Sequence, residues 1–515
     1  MLRADFLRTL AFALTPAPTP AATRPNVLFI AVDDLRPELG IYGAGHVASP
    51  HIDQLGRQGT VFTHAYCQQA LCNPSRASML TGLRPDTLKV WNLQTGFRTT
   101  RPGAVTLPQH CQQQGYHSAG IGKIFHNNLP DPASWSEPEL HLRGYPFDPD
   151  AVYRSENEVA ALEEGKRQIT AEGKRNAYLD KLGEWYLKNN SIEAPDVPDD
   201  AYYDGAQTTA AIAKLRTLQA AGQPFFLGIG YYRPHLPFNV PKKYWDLYDR
   251  ATLPLAPNAY LPHDAPPMAH NMNRELRGYR DFAAQPRPDQ GTLSEDRARL
   301  LRHGYFASVS YVDAQIGRLL SALEQSGLAR NTIVVLWGDH GWKLGEHNAW
   351  GKMTNYEVDT RVPLIIRAPG LRPGVCAGLV ESVDIYPTVC ALAGLPTPPG
   401  LEGASLVPLM RDPRRPGKSA IFTQYLRDGI WAAPDGVDYM GRSIRTERHR
   451  YVEWRKWPSG DWAAHELYDL QKDPGENRNL ANSPAAASLR QQLAVRLHRG
   501  WQAEPRRRFD AAQGR

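Results

Sequence analysis

The sequence predicts an α/β fold: a large, mostly parallel or mixed sheet with helices on both faces, followed by a small C-terminal antiparallel-sheet subdomain. Three observations lead to this prediction. Apolar runs of strand length lack the alternation that a half-exposed strand shows. Several of these runs are preceded by segments of helical periodicity, and such alternation indicates a sheet covered on both faces. After about residue 435 the pattern changes to short strands and a final helix.

The elements follow in chain order. The first buried strand is predicted at residues 26–32, "NVLFIAV". Helix–strand pairs are predicted in "TLPQHCQQQG" with "YHSAGIGKIF" and in "AQTTAAIAKLRTLQAAG" with "PFFLGIGYY". A long helix is predicted where apolar residues between Val309 and Leu323 recur every three or four positions, with Gly327 at its end. The strands "NTIVVLWG" and "VPLIIRA" follow it, and "GRSIRTERHRYVEW" and "HELYDL" are the predicted C-terminal strands.

These elements divide the chain into a main domain at residues 24–434 and a C-terminal subdomain at 435–515. Residues 1–23 contain two early arginines, a short apolar stretch and then a run rich in alanine and proline. They are either a secretory signal peptide, which would place the protein in the periplasm or outside the cell, or a disordered leader of a cytoplasmic protein. The polar, proline-rich stretches at about 128–200 and 255–292 are predicted to be long loops, and such loops are usually functional or disordered.

Composition excludes several classes of protein. The net charge is +6, from 59 basic and 53 acidic side chains, and so small an excess over 515 residues gives no indication of nucleic-acid binding. It is compatible with an anionic substrate. No apolar run is long enough to span a bilayer. The five cysteines fit neither a fully paired disulfide framework nor a zinc pattern. Oligomeric state is left open.

Two acidic clusters follow two of the predicted strands. Asp33 and Asp34 come directly after the first strand, and Asp339 and His340 come directly after "IVVLWG". Ligand crevices of open α/β sheets lie beyond the carboxyl ends of the strands, so these four side chains are expected to converge. Three carboxylates and an imidazole favour a hard divalent ion, Ca²⁺ or Mg²⁺. Either pair alone would be read as a turn or a helix cap.

Cys72 lies in "LCNPSRASMLTG". Pro74 suits the first turn of a helix and Gly82 its end, so residues 74–81 are predicted to be a short helix with Cys72 at its positive end. A thiolate in that position would be a reactive nucleophile. The alternative is a buried structural cysteine beside a helix cap, and the local sequence does not decide between the two.

The order of motifs along the chain resembles that of the type I sulfatases, in the alkaline-phosphatase-like superfamily. The resemblance runs through nearly the whole chain, in "NVLFIAVDDLRPELGIYG", "SPHIDQL", "CNPSRASMLTGLRPDT", "GKIFH", "GYYRPHLPF", "GDHGWKLGEHNAWGK" and "YMGRSIRT". Within the family, "DDLRP", "GKIFH" and "DHGW" are most similar to the iduronate-2-sulfatases. Such a set of motifs in this order is specific, whereas C-x-P-x-R alone would not be.

The resemblance implies that a formylglycine-generating enzyme oxidises Cys72 to formylglycine during maturation. It also implies that Asp33, Asp34, Asp339 and His340 bind Ca²⁺ together with the modified Cys72. A thiol that attacked sulfur would end as a stable S-sulfonated cysteine, whereas a hydrated aldehyde can attack with one hydroxyl and expel sulfate through the other.

The resemblance also assigns roles to five further residues. Arg76 holds the hydrated residue in place and belongs to the stretch that the modifying enzyme reads. Lys123 and His126 lie near formylglycine, with His126 as the base for the collapse step. His235 and Lys352 bind sulfate oxygens and assist departure of the alcohol. Each of these residues alone would be unremarkable, since a lone lysine is most often a solvated surface residue.

The implied activity is hydrolysis of a sulfated carbohydrate, most specifically a 2-O-sulfated uronate of the kind found in glycosaminoglycans. Arg101, Arg233 and Arg361 are candidates to bind a uronate carboxylate, and the sequence does not select among them. Two alternatives remain. The chain is a phosphonate or phosphate ester hydrolase of the same superfamily, or, if Cys72 stays unconverted, an inactive glycan-binding protein. His46, His51, His64 and His347 are read as surface or structural histidines and Glu346 as loop support.

Overall fold

The structure is a computed structural model, and it describes residues 24–127, 129–142, 152–171 and 189–504. The predicted leader at 1–23 lies outside the described residues. The strands in chain order are β1 (Asn26–Val32), β2 (Thr60–Tyr66), β3 (His117–Gly122), β4 (Ile192–Glu193), β5 (Phe225–Tyr231), β6 (Phe238–Asn239), β7 (Thr332–Gly338), β8 (Lys343–Leu344), β9 (Trp350–Gly351), β10 (Arg361–Arg367), β11 (Gly374–Cys376), β12 (Val380–Glu381), β13 (Ala420–Arg427), β14 (Tyr439–Thr446), β15 (His449–Lys456) and β16 (Trp462–Asp469).

The longer helices pack on the main sheet, on the small sheet or, in the case of Glu156–Ala171, against Tyr203 and Tyr232. They are Pro50–Gln58, Cys72–Thr81, Leu107–Gln113, Glu156–Ala171, Tyr203–Ala221, Glu295–Gln325, Ile385–Ala393 and Ala487–Arg499. Shorter helices are Pro85–Leu88, Phe97–Thr100, Lys242–Trp245, Glu357–Thr360 and Val407–Arg411. In the parts of the chain that the structure describes, no helix is both long and apolar enough to cross a membrane.

The main sheet has eight strands, in the order β11-β2-β10-β7-β1-β5-β3 with β12 also paired to β2. The neighbours of β1 are parallel to it on both sides, and β10 runs antiparallel to both β2 and β7. The sheet is therefore mixed but mostly parallel, as the sequence predicts. All seven residues of β1 are buried because apolar clusters cover both faces of the sheet, which explains why this strand shows no alternation.

Local sequence accounts for the ends of several elements. Thr106 and Gln109 form a reciprocal capping box at the start of the helix Leu107–Gln113. The helix Cys72–Thr81 ends at Gly82, which has a φ of 66°, a left-handed conformation that glycine adopts without strain. The long helix predicted around residues 309–323 is present as Glu295–Gln325.

The small sheet is antiparallel, in the order β13-β14-β15-β16. The helix Ala487–Arg499 covers one face, where Leu493 packs with Ile444 and Leu467. The other face packs against the main domain, where Trp454 lies in one cluster with Met268. The sequence predicts this antiparallel subdomain, but β13 was not recognised as its first strand, because Ala420–Arg427 precedes the point at which the pattern changes. The domain boundary at residue 434 stays a prediction.

Candidate active site

Two neighbouring strands end in the acidic residues that the sequence singles out. Val32 at the end of β1 is paired with Gly338 at the end of β7, so the residues that follow them lie side by side. Asp33, Asp34, Asp339 and His340 have no solvent-exposed surface. Ligand atoms of Asp33, Cys72, Asp339 and His340 all lie within 4.8 Å of one another, as do those of Asp33, Asp34, Cys72 and His235. The structure therefore brings the predicted ligands together.

Asp34 sits in a tight turn that aims its carboxylate back at this cluster. Its φ is 58°, in the left-handed region that aspartate tolerates better than most residues. Its N–H donates to Asp339 Oδ1 at 3.0 Å, which ties the β1 tip to the β7 tip. Burial raises the pKa of Asp34 well above its usual value, and it raises the pKa of Asp339 to about 7.

Cys72 is the first residue of its helix, two residues earlier than the predicted start at 74. Its Sγ lies 3.2 Å from His340 Nε2, and the side chain is buried. Burial, and next the charge of Asp33, raise the pKa of the thiol well above its usual value. The position at the helix N-terminus therefore does not make Cys72 a thiolate, and the unmodified side chain is a poor nucleophile here.

Arg76 lies one helical turn after Cys72 and is completely buried. Its Nε donates to Asp339 Oδ2 at 2.9 Å and its Nη2 to Asp33 Oδ1 at 3.3 Å, so it joins both strand tips. Its Nη1 donates to the carbonyl oxygens of Lys123 and Ile124. The guanidinium thus fixes three segments of the main sheet relative to the cysteine.

Lys123 and His126 follow β3, two strands from β1 in the sheet. Lys123 Nζ donates to Asp33 Oδ2. Although burial opposes ionisation, the charges of Lys123 and Arg76 hold the pKa of Asp33 well below its usual value. Burial, and next the charge of Lys123, lower the pKa of His126 well below its usual value. His126 is therefore neutral at pH 7.

His235 and Lys352 both lie beside Asp34. Lys352 Nζ donates to Asp34 Oδ1 at 2.7 Å, and His235 Nε2 is 3.9 Å from Asp34 Oδ2. His235 Nδ1 lies 2.6 Å from the carbonyl oxygen of Leu236. A carbonyl can only accept, so Nδ1 carries a proton and Nε2 faces the site.

Glu275 belongs to the same group, and sequence reasoning missed it. Its Oε1 is 3.2 Å from His235 Nε2 and its Oε2 is 3.8 Å from Lys352 Nζ. It lies in the irregular stretch at 255–292, where no periodicity or motif marks it. The only available signal was that such a loop is often functional.

The charges of the cluster nearly balance. Three buried carboxylates, Asp33, Asp34 and Asp339, face three buried cations, Arg76, Lys123 and Lys352. His340 donates from Nδ1 to the Gly341 carbonyl at 3.1 Å, which leaves the lone pair of Nε2 facing Cys72 and the carboxylates. Burial lowers the pKa of His340 well below its usual value, so it is neutral. A divalent cation would make the pocket positive.

The arginines proposed for a uronate carboxylate differ in position. Arg233 is buried and donates to the carbonyl oxygens of Asn239 and His235, so it shapes the loop that carries His235. Arg361 donates to the Thr63 carbonyl and lines a surface cleft, and Arg101 is exposed. Glu346 supports its loop as expected: it pairs with Arg36 at 2.9 Å.

Taken together, the fold and this buried charged cluster define an alkaline-phosphatase-like hydrolase, and comparison with known proteins identifies the family. The sulfatase family model matches residues 25–395, and the model of the C-terminal region of N-sulphoglucosamine sulphohydrolase matches residues 345–503. The chain belongs to the sulfatase family, whose members hydrolyse sulfate esters.

Individual relatives agree with this assignment. The chain is 34% identical to the iduronate 2-sulfatase of Mus musculus, covering 90% of this chain and 92% of the relative. It is also 34% identical to the iduronate 2-sulfatase of Homo sapiens, covering 91% and 93%. Among solved structures, a phosphonate monoester hydrolase from Silicibacter pomeroyi is similar, with a TM-score of 0.70 at 25% identity over 92% of this chain and 95% of that one. The predicted resemblance to sulfatases is confirmed.

Proposed function

We propose that this sulfatase releases inorganic sulfate from a sulfated carbohydrate, specifically a 2-O-sulfated uronate, with a formylglycine made from Cys72 as its nucleophile. One observation carries the proposal: Cys72 Sγ lies within 4.8 Å of ligand atoms from both strand tips, in a pocket that also holds Arg76 and Lys123. A buried, protonated thiol has no evident use there. A hydrated aldehyde at residue 72 would have a use, because the surrounding charged groups can form hydrogen bonds with its two hydroxyls.

The donor set suits Ca²⁺. Asp33, Asp34, Asp339, His340 and the modified Cys72 would hold the ion, with Mg²⁺ as the alternative. Carboxylate oxygens are the preferred ligands of such hard cations, and Asp33, Asp34 and Asp339 offer them beside the neutral imidazole of His340. When bound, the ion polarises a sulfate oxygen and lowers the pKa of the attacking hydroxyl.

The residues of the chain then divide the reaction into two steps. In the first, one hydroxyl of the hydrated residue 72 loses its proton to water and forms an O–S bond, and the bond from sulfur to the sugar oxygen breaks. Lys352, with His235 beside it, delivers the proton that the departing alcohol needs. In the second, His126 removes the proton of the other hydroxyl, the aldehyde re-forms and sulfate leaves. Arg76 orients the hydrate throughout, and Lys123 offsets the charge of Asp33.

The sugar is proposed from the relatives. Two proteins named iduronate 2-sulfatase match nearly the full length of the chain at 34% identity, which supports a 2-O-sulfated uronate. The overall positive charge that a divalent ion would give to the pocket suits a sulfate ester anion. Specificity is proposed to lie in the irregular stretches and in the C-terminal subdomain, which we place at residues 435–515 after a catalytic domain at 24–434, with β13 from the end of that domain joining the small sheet.

The test is release of sulfate from a 2-O-sulfated uronate disaccharide by protein produced together with a formylglycine-generating enzyme. A matched disaccharide carrying only a 6-O-sulfate on the hexosamine is the control substrate, and Cys72→Ala is the control protein. Turnover of the 2-O ester alone, abolished in Cys72→Ala, is the expected result. Turnover of the 6-O ester alone would overturn the choice of substrate, and full activity of Cys72→Ala would overturn the mechanism.

A second candidate is phosphonate or phosphate ester hydrolysis, which the similarity to the phosphonate monoester hydrolase favours. Comparing sulfate-ester with phosphate-diester turnover in one preparation discriminates between the two, and a higher kcat/KM for the sulfate ester is expected. If Cys72 remained a thiol, the protein would bind sulfated glycans without turnover.

Export through residues 1–23 to the periplasm or beyond the cell is likewise a proposal, tested by locating the mature N-terminus.

A further inference from the structure

Lys352 is aimed into the site by a strained piece of backbone. It follows β9, and the next residue, Met353, has a φ of 82°. A non-glycine residue in that region is strained, and it persists only where the surroundings hold it. The direction of the Lys352 side chain therefore depends on whatever fixes the peptide groups on either side of Met353.

Two side-chain donors hold those peptide groups. Asn271 Nδ2 donates to the carbonyl oxygen of Lys352, and Arg427 Nη2 donates to the carbonyl oxygen of Met353 at 2.8 Å. Each donor comes from a different part of the chain: Asn271 from the irregular stretch that also carries Glu275, and Arg427 from the end of β13 in the small sheet. Both side chains are buried.

Arg427 joins the two loops through carbonyl oxygens. Its Nε donates to the Met268 carbonyl at 2.7 Å, so one guanidinium links the loop before Glu275 with the loop after Lys352. Its side chain is 2% exposed, and the contacts of its guanidinium within the described residues are carbonyl oxygens and the ring of Tyr425, with no carboxylate in an ion pair. Burying an arginine without an anionic partner is costly, which indicates that its fork of donors serves a geometric purpose.

Packing places the same loop against the start of the cysteine helix. The side chain of Met353 lies in one buried cluster with Leu71, the residue before Cys72, and with Tyr425 of β13. Met353 is therefore fixed by its backbone, through Arg427, and by its side chain, between the helix and the small sheet.

We infer that Arg427 is a positioning residue: the small C-terminal sheet sets the place of Lys352 through the hydrogen bond from Arg427 to the Met353 carbonyl. This inference rests on the proposed function, in which Lys352 acts on the leaving-group side. A misplacement of about 1 Å at such a group costs on the order of 10²-fold in rate. Arg427→Gln is therefore expected to lower kcat by about 10- to 100-fold with a smaller change in KM. Arg427→Lys, which keeps one donor, is expected to lose less.

A double-mutant cycle with Lys352→Ala separates positioning from general support of the fold. If Arg427 acts through Lys352, Arg427→Gln costs almost nothing further once Lys352 is alanine. Arg445→Gln is the matched control, because Arg445 is another buried arginine of the small sheet but donates to Thr446 and pairs with Glu357. Its effect is expected to be the same factor in both backgrounds. An equal loss from Arg427→Gln in both backgrounds would overturn the inference.

Two further measurements keep the outcome decisive. If Arg427→Gln does not fold, Arg427→Lys takes its place in the same cycle, and its smaller loss is again expected to vanish once Lys352 is alanine. A crystal structure of Arg427→Gln gives a readout independent of activity: Lys352 Nζ is expected to leave its 2.7 Å contact with Asp34 Oδ1, and an unmoved Lys352 would contradict the inference. Absence of sulfate release by the wild-type enzyme would instead contradict the proposed function, and the crystallographic result would still stand.

Discussion

Replacing Glu346 by glutamine removes the charge from a carboxylate that supports the loop between His340 and Lys352. Glu346 Oε1 pairs with Arg36 at 2.9 Å and its Oε2 accepts from the Leu344 N–H at 2.6 Å. Although burial opposes ionisation, the charge of Arg36 lowers the pKa of Glu346 from 4.5 to about 2. Glutamine keeps the acceptor for Leu344 but loses the ionic interaction.

The magnitude follows from this pKa. A group whose folded-state pKa is depressed stabilises the fold above its unfolded pKa and loses that contribution as the pH falls towards the folded value. Lowering the pKa of Glu346 from 4.5 to about 2 corresponds to about 3 kcal/mol of stability at pH 7, of which about 0.8 kcal/mol is lost by pH 4. We therefore expect Glu346→Gln to lower the free energy of unfolding by up to about 3 kcal/mol at pH 7, and the gap to wild type to narrow between pH 6 and pH 4.

Urea unfolding at pH 7, 6, 5 and 4 measures this gap. The control is Glu324→Gln, since Glu324 is half-exposed in its pair with Arg367 and such surface pairs contribute less than about 1 kcal/mol. A gap for Glu346→Gln that is the same at every pH, or no larger than that of Glu324→Gln, would refute the reasoning.

Three further predictions concern the site and the sheet beneath it. Lys352→Ala and His235→Ala are expected to lower kcat for a sugar sulfate by about 10²- to 10⁴-fold. For an activated aryl sulfate the loss is expected to be much smaller, because a good leaving group needs no proton. Equal losses of kcat on both esters would count against a role of these residues on the leaving-group side. Removing divalent ions with a chelator is expected to abolish sulfate release, measured by a sulfate assay. Adding Ca²⁺ is expected to restore the activity more fully than adding Mg²⁺. Unchanged activity in the metal-free protein would argue against the metal site. Gly230→Ala is expected to lower the free energy of unfolding by about 1–3 kcal/mol and to lower activity, because an added Cβ would lie 2.0 Å from the Lys123 carbonyl oxygen. Gly103→Ala is the control, since nothing lies within 4 Å of a Cβ at that position. Identical shifts of the melting temperature for the two variants would contradict this prediction.

The main sheet could be predicted because its strands carry a strong local signal. β1, β5 and β7 are unbroken apolar runs, buried on both faces, and each predicted run is a strand in the structure. Their carboxyl ends had to meet at one edge, so the neighbourhood of Asp33 and Asp339 followed from topology. The fold class and the family are confirmed; the roles of the individual site residues stay predictions.

What could not be predicted depends on contacts between distant segments. Glu275 and Arg427 each lie in a stretch without a motif, and they gain meaning only because Lys352 is brought beside them. β13 was missed as part of the small sheet for a related reason. Its residues are partly polar, and its partner β14 follows only after a long irregular connection.

We propose that residue 72 is an aldehyde and not a thiol in the active enzyme. The mass of the proteolytic peptide carrying Cys72, taken from a preparation that releases sulfate, tests this most directly. We expect a peptide lighter than the encoded sequence, because a carbonyl oxygen replaces the sulfur, its hydrogen and one Cβ hydrogen. Where the peptide also carries Cys67, we expect a thiol-alkylating reagent to modify Cys67 and not residue 72. An active preparation in which this peptide has its encoded mass and is fully alkylated would contradict it.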